Sequence, residues 1–499
     1  MSAETPATPD ELLGYDEPAG RWVLAATVLG SSIAFLDATV VNIALPAIGS
    51  DLGGGVAGLT WTVNAYTLTL AALVLVGGSL GDRFGRRRVF MVGAAWFGVA
   101  SLACAVASDI AMLVAFRALQ GVGAALLTPG SLAILQAAFR AEDRSRAIGA
   151  WSGLAGITGA LGPFLGGWLV EAASWRWIFF LNVPVVIAVL LISARHVPES
   201  RDHTASGRID FLGAGLAAVG LGALSVGLSS WSELGPGALE VQAGVGVGLV
   251  ALAGFVAYER VAANPMLPPG IFASALFRAT NAVTFLVYAA LGGVFFWFVV
   301  TLQVVAGWAP LMAGVSLLPV TVLMLLFSPR AGRLGDRFGA RLPMTLGPLV
   351  AATGVALMSR VRPDAGYLDV VAPVTLLAVG LTLTVTPLTT TVLGAVAGDH
   401  AGLASGVNNA VARTGGLLLI TVLPALAGLG PGGFADAAGL EAAFGPAMVI
   451  CASLLAGAGV LAAWSLRAEG PPRTTSRPSR DARRHCALDA PPTAAEEAA

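Results

Sequence analysis

The stretch "GSLGDRFGRRR" (78–88) is polar, yet it lies between two long apolar runs, and "RLGDRFGAR" (333–341) repeats its core. LGDRFG starts at Leu80 and again at Leu334, so the copies stand 334 − 80 = 254 residues apart. Each copy holds an Asp–Arg pair closed by glycine, with Asp82, Arg83 and Gly85 in the first and Asp336, Arg337 and Gly339 in the second. A hydrophobic chain that carries this phrase twice reads as a duplicated unit with a polar turn at matching places.

Composition fixes the class around that phrase. Of 499 residues 56% are hydrophobic and only 11% charged, with mean hydropathy +0.80. Soluble domains carry about 25% charged residues. Runs of about 20 apolar residues recur along the chain, the length a helix needs to cross a bilayer. The expected fold is an all-α polytopic membrane protein. About fourteen spans are predicted, near 22–46, 59–80, 89–108, 110–137, 147–170, 177–194, 210–230, 239–260, 279–303, 311–328, 342–360, 370–396, 402–427 and 445–466. Net charge is −1 and implies no nucleic-acid partner. All 28 basic residues are Arg, so the Lys-dependent phosphate loop of an ATP motor is absent. Cys104, Cys451 and Cys486, and His196, His203, His400 and His485, follow no metal or disulfide spacing. No cofactor or metal is expected.

Arginine placement sets orientation. Loops on the N-terminal side hold about sixteen Arg against three on the other side, the three being Arg176, Arg360 and Arg362. Both termini are therefore expected in the cytoplasm. The acidic residues 1–21 form a short tail without a basic leader. Residues 467–499, rich in Pro, Ala and charge, are expected to form a disordered tail.

The two copies stand eight predicted helices apart rather than six, so two helices are inserted centrally. The predicted layout is a first six-helix bundle (22–194), a linker with two extra helices (195–278, helices near 210–230 and 239–260) and a second bundle (279–466). Parallel halves related by an axis along the membrane normal are an architecture of secondary transporters. Gly78, Gly85 and Gly339 permit tight backbone approach. Asp82 and Asp336 suit the N–H groups of a neighbouring helix start. A topology-setting basic turn explains one copy equally well. Duplication favours a latch between the halves, formed with Arg83, Arg87 and Arg337.

The phrase resembles the signature loop of the major facilitator superfamily. "LDATVVNIALP" (36–46), "RALQGVGAA" (117–125) and "GALGPFLGGWL" (159–169) resemble motifs of its fourteen-span drug:proton antiporters. The likeness continues through "WRWIFFLNVP" (175–184) and "GLASGVNNAVARTGG" (402–416). It implies the major facilitator fold and export of small amphipathic drugs, antibiotics or secondary metabolites, driven by the proton motive force. It also implies a multi-pass plasma-membrane protein in contact with small-molecule substrate, protons and lipid; the Lys-free, Ala-, Gly- and Arg-rich composition points to a bacterial source, and a monomer is expected.

Ionisable groups inside spans are functional candidates by default. Asp37 lies nine residues before Pro46, about 13 Å deep, and Arg117 lies seven residues past Ile110, about 10 Å deep, at 1.5 Å per residue. A structural ion pair is one reading. Burial penalises a charged carboxylate whereas a neighbouring guanidinium favours it, so a moving cavity can load and unload a proton there. The resemblance makes those helices neighbours and assigns Asp37 as proton carrier, with Arg117 tuning it. Gly156, Gly159, Gly162 and Gly166 recur at helical spacing, and GPxxGG (Gly162, Pro163, Gly166, Gly167) reads either as packing or as a joint between halves. The run "GVGVG" (244–248) reads as packing. Asn42, Asn64, Tyr66, Gln303, Asn408 and Arg413 are candidates for the substrate cavity wall, interhelical bonding being the alternative. The family often has Arg one place before Arg413, where this chain has Ala412. Rival functions are a proton-coupled uptake permease on the same scaffold and a membrane sensor or enzyme. The last would need a catalytic constellation or a soluble output domain, and the sequence offers neither.

Overall fold

A computed structural model of the chain describes residues 12–201, 210–263, 265–362, 364–396, 401–430 and 437–466. The C-terminal tail, most of the N-terminal tail, His203, His400, His485 and Cys486 lie outside the described residues. No strand occurs among the described residues. The described residues are predominantly helical, in keeping with their hydropathy, because in lipid a helix satisfies its own backbone polar groups.

The first half comprises α1 (Pro18–Leu52), α2 (Gly55–Phe84), α3 (Arg86–Ala105), α4 (Ile110–Ala138) and α5 (Ala141–Ala172). It ends in a sixth span broken at Leu181 into α6 (Trp177–Phe180) and α7 (Asn182–His196). The inserted pair is α8 (Phe211–Leu234) and α9 (Leu239–Glu259). The second half begins with α10 (Ala275–Val304) and a span broken between α11 (Pro310–Val315) and α12 (Leu318–Phe338). It continues through α13 (Arg341–Met358), α14 (Tyr367–Gly394), α15 (Ala401–Leu426) and α16 (Ala437–Ser465).

Thirteen described helices are long and apolar enough to cross a membrane. The remaining long helix is α5, which opens on the charged run "AEDRSR" and has several side chains outside the described residues.

Helices extend further than the apolar runs. The phrase at 80–84, expected in a loop, is the last turn of α2, and Gly85 alone joins it to α3 with φ +107°. Asp82 and Arg86 bridge that joint as an i, i+4 pair at 2.8 Å. The second copy behaves alike: α12 runs to Phe338 and Gly339 turns at φ +79°.

The cores are unequal, which matters for function. One apolar core takes in the second bundle and only those first-bundle residues far from the termini, such as Val41, Leu45, Leu113 and Phe179. The first bundle's other half, nearer the termini, has a core of its own around Phe90, Phe97, Leu127 and Phe139. A third cluster of Phe277, Val392, Ala404 and Val407 occupies the terminal end of the second bundle. The two bundles thus share one core at the end remote from the termini, whereas nearer the termini each has a cluster of its own, with Ala410 and Gly406 of α15 still reaching the first bundle. The inserted α8 lies against α2 and α15, one helix from each bundle, and Trp61 Nε1 donates to Ser229 Oγ at 3.1 Å.

Candidate functional site: a buried charge cluster and the joint above it

Asp37 on α1 and Arg117 on α4 are 3% and 1% exposed and form an ion pair. An unpaired charge at that burial costs several kcal/mol, so the surrounding bonds are informative. Gln120, one turn beyond Arg117, joins both charges. Its Nε2 donates to Asp37 Oδ1 at 2.9 Å, and its Oε1 accepts from Arg117 Nη1 at 2.5 Å. Asn182 Nδ2, at the α6–α7 break, donates to the same carboxylate oxygen at 3.3 Å and to Ser101 Oγ at 3.2 Å. Gln120 Nε2 also donates to Ser101 Oγ at 2.7 Å.

Arg117 has partners besides the carboxylate. Its Nε donates to the Thr62 carbonyl at 3.0 Å, and its guanidinium lies 4.4 Å from the Tyr66 ring centroid and 5.8 Å from that of Phe179. The guanidinium is therefore wrapped by neutral acceptors and aromatic faces, which attract cations. Tyr66 closes the cluster by donating its hydroxyl to the Ala34 carbonyl at 3.3 Å.

Gln120, Ser101 and Asn182 were not singled out from sequence. A signal existed: each is polar inside an apolar run, and Gln120 and Asn182 stand in the quoted stretches 117–125 and 175–184. Such residues in membrane helices also serve plain packing, so pattern alone did not separate them.

The GPxxGG string makes two kinds of close approach. At Gly162 an added Cβ would stand 2.0 Å from Thr39 Oγ1, and at Gly166 it would stand 3.0 Å from Val40, so that face seats α5 against α1. At Gly167 it would meet Leu311 Cα and the Pro310 carbonyl at 2.6 Å, across the boundary between bundles. Reciprocally, a Cβ on Gly314 would stand 2.2 Å from the Pro163 carbonyl. The side-chain surroundings of Gly156 and Gly159 lie outside the described residues.

Several expected cavity residues turn out to be fasteners. Asn64 Nδ2 on α2 donates to Thr421 Oγ1 on α15 at 2.6 Å, and Gln303 Nε2 on α10 donates to the Ile43 carbonyl on α1 at 3.0 Å. Both bonds join the bundles at the end remote from the termini. Asn408 Nδ2 ties α15 to α10 through Thr284 Oγ1 at 2.7 Å and Asn281 Oδ1 at 3.2 Å. Asn42 Oδ1 is buried without a hydrogen-bond partner among the described residues. Arg413, half-buried on α15, donates from Nε to Asn409 Oδ1 at 3.4 Å.

The signature loop holds its partners inside the first bundle. Asp82 pairs with Arg86 rather than accepting from a helix start. That role falls to Glu199, past the end of α7, whose Oε1 accepts from the Arg87 backbone N–H at 3.1 Å. Arg87 Nη1 donates to the Val197 carbonyl at 3.1 Å, and the Arg86 N–H donates to the Ser200 carbonyl at 2.8 Å. Gly78 faces Pro129, with a hypothetical Cβ at 3.7 Å. Arg83 is half-buried, and Arg337 lies over the Phe338 ring at 5.3 Å. The side chain of Asp336 lies outside the described residues. Among the described residues no group of three or more His, Cys, Asp or Glu is placed to hold a metal ion.

The sequence profile described as "Major Facilitator Superfamily" matches residues 27–421. The chain belongs to the major facilitator superfamily. It is a multi-pass membrane transporter of that superfamily. It is 37% identical over 432 residues to the cephamycin export protein CmcT of Amycolatopsis lactamdurans, covering 85% of this chain and 88% of the relative. It is 34% identical to the tetracenomycin C resistance and export protein of Streptomyces glaucescens, over 83% of this chain and 79% of that protein. It is 35% identical to the multidrug resistance protein Stp of Mycobacterium tuberculosis, over 80% and 74%. A bacterial homologue of the human lysosomal transporter Spinster, solved in an inward-facing and unoccupied conformation, shares the fold with a TM-score of 0.64 at 15% identity, over 90% of this chain and 97% of that one.

Proposed function

We propose that this major facilitator protein exports small amphipathic compounds across the plasma membrane in exchange for protons, by alternating access, with Asp37 carrying the proton and Arg117 as its partner. One observation carries the reading: Arg117 is held by Gln120 Oε1, the Thr62 carbonyl and the Tyr66 face as well as by Asp37. Protonating Asp37 removes the countercharge and leaves the guanidinium with these neutral acceptors. The ion pair can then open without stranding a bare cation. A structural pair also needs acceptors for the guanidinium N–H groups the carboxylate does not reach; what favours exchange is that these acceptors are neutral and stay in place when the carboxylate takes up a proton.

The packing supports the transport cycle. The bundles share an apolar core at the end remote from the termini and have distinct clusters at the terminal end, bridged there by Gly406 and Ala410 of α15. With the termini in the cytoplasm, as Arg placement indicates, the more continuous packing between bundles lies on the outer side. Rocking about the α5–α11 crossing would exchange which vestibule is open, and a signature loop now bonded within the first bundle would be free to engage the second. Relatives named for export of cephamycin and tetracenomycin C and for multidrug resistance support the outward direction. One proton supplies about 2.3 kcal/mol per 100 mV and about 1.4 kcal/mol per pH unit, enough for a concentration ratio of several hundred for a neutral substrate.

The test is accumulation of a panel of toxic compounds in everted membrane vesicles, with and without a protonophore, for wild type and Asp37→Asn. Protonophore-sensitive uphill accumulation by wild type, lost in the variant, is the expected result. Accumulation that ignores the protonophore, or persists uphill in Asp37→Asn, overturns the reading.

A further inference from the structure

We propose that Arg413 is an anion-binding group of the transport pathway, so that the preferred substrates carry a negative charge such as a carboxylate or an acidic phenol. This deepens the efflux reading and rests on it for the direction of transport. Arg413 stands twelve residues after Ala401 and thirteen before Leu426, about 18 Å from either end of α15 at 1.5 Å per residue. That depth keeps lipid headgroups out of reach. A guanidinium there is costly unless it meets a countercharge or water.

The face it occupies is defined by its neighbours. Gly406, seven residues earlier on the same stripe, would place a Cβ 2.8 Å from Leu75 of α2, and Ala410 packs against the first-bundle core. Thr421, two turns later, bonds Asn64 of α2. Arg413 therefore points toward the boundary between bundles rather than into lipid.

Compensation separates it from Arg117. Arg117 is paired with Asp37 and nearly sealed from solvent, so that couple contributes no net charge. Arg413 is half-buried and takes part in no ion pair among the described residues; its hydrogen bond is to the neutral Asn409 at 3.4 Å. No acidic residue lies in α15 or α10. The boundary thus carries an excess positive charge that an anionic ligand would neutralise, a charge-assisted contact of the strong kind.

The test uses two dyes on one xanthene frame, anionic fluorescein and a cationic rhodamine ester. Equilibrium binding is read by fluorescence anisotropy on purified full-length protein in neutral detergent, without any gradient. Wild type is expected to prefer fluorescein. Arg413→Gln should weaken fluorescein binding by about tenfold or more, leaving the rhodamine unchanged or tighter, and Arg413→Lys should keep the preference. Fluorescein binding no tighter on wild type than on Arg413→Gln, or equal losses for both dyes, overturns the proposal. Because no proton gradient enters this measurement, the antiport reading can fail in vesicles while charge-selective binding stands, and the reverse.

Discussion

The two bundles share a scaffold but treat a buried arginine in opposite ways. In the first, Arg117 faces Asp37, with Gln120 bonded to both. In the second, Arg413 sits halfway along its helix with a single amide for company. The same residue type thus gives a closed, neutral cluster in one half and an open positive charge in the other. Duplication supplied the framework, and the asymmetry placed on it separates a group suited to exchanging a proton from a group suited to holding a ligand.

That contrast can be broken most severely at Arg117. Arg117→Leu leaves Asp37 buried without its countercharge and should lower stability by about 3–5 kcal/mol, read from the thermal unfolding midpoint in detergent. Adding Asp37→Asn should recover most of it. Arg413→Leu should cost little or raise the midpoint, since it removes a charge that has no partner. Equal losses at the two arginines would erase the distinction between the halves.

Function offers the next comparison. For a neutral substrate, Asp37→Asn should reduce an accumulation ratio of up to several hundred to about one, because the roughly 3.7 kcal/mol carried by one proton is no longer coupled. Downhill exchange of substrate should continue. If substrates are anionic, an exported anion and an imported proton move charge in the same electrical sense. Wild-type export should then steepen with membrane potential by about 2.3 kcal/mol per 100 mV for each charge moved. A voltage-insensitive wild type would count against an anionic cargo.

The glycine-rich segments sharpen the comparison at a smaller scale. Gly167→Ala drives a methyl into Leu311 Cα and the Pro310 carbonyl at 2.6 Å, backbone that cannot step aside. Overpacking of that kind costs about 1–3 kcal/mol, and it falls on the joint between bundles, so transport should slow along with the loss of stability. Gly246→Ala, with nothing within 4 Å of the new Cβ, should be neutral or stabilising by up to about 1 kcal/mol. Gly244 and Gly248 on either side do approach α8, with Cβ distances of 2.7 and 2.6 Å. A comparable loss of transport at Gly167 and Gly246 would show that glycine content, not the interbundle joint, sets the effect.

Much of the fold was legible because hydropathy and repetition are long-range signals. Apolar runs marked the helices, and the repeated LGDRFG marked the duplication. Helix ends were less legible. An Asp82–Arg86 pair and a positive-φ glycine let α2 carry its polar residues to Phe84, where the apolar count had stopped near residue 80. At the site, Asp37 and Arg117 stood out because charge in a span is rare. Gln120, Ser101 and Asn182 did not, since a neutral polar side chain gains its meaning only from what it faces. The same holds for Asn64 and Gln303, which looked like cavity wall and instead fasten the bundles together.

The smallest expected effect separates the two signature loops. In the first copy Glu199 accepts from the Arg87 N–H and lies 3.8 Å and 3.6 Å from the Arg87 and Arg88 guanidinium groups, so the loop is tied to the segment following α7. Glu199→Gln keeps the shape but halves the acceptor strength and removes the charge. A loss of about 0.5–1.5 kcal/mol follows for a part-exposed site of this kind. In the second copy Arg337 is exposed and lies over its own neighbour Phe338. Arg337→Gln should therefore leave the unfolding midpoint in place. If both substitutions cost the same, the second loop is tied down as firmly as the first, and it is no longer the freer partner when the terminal end closes.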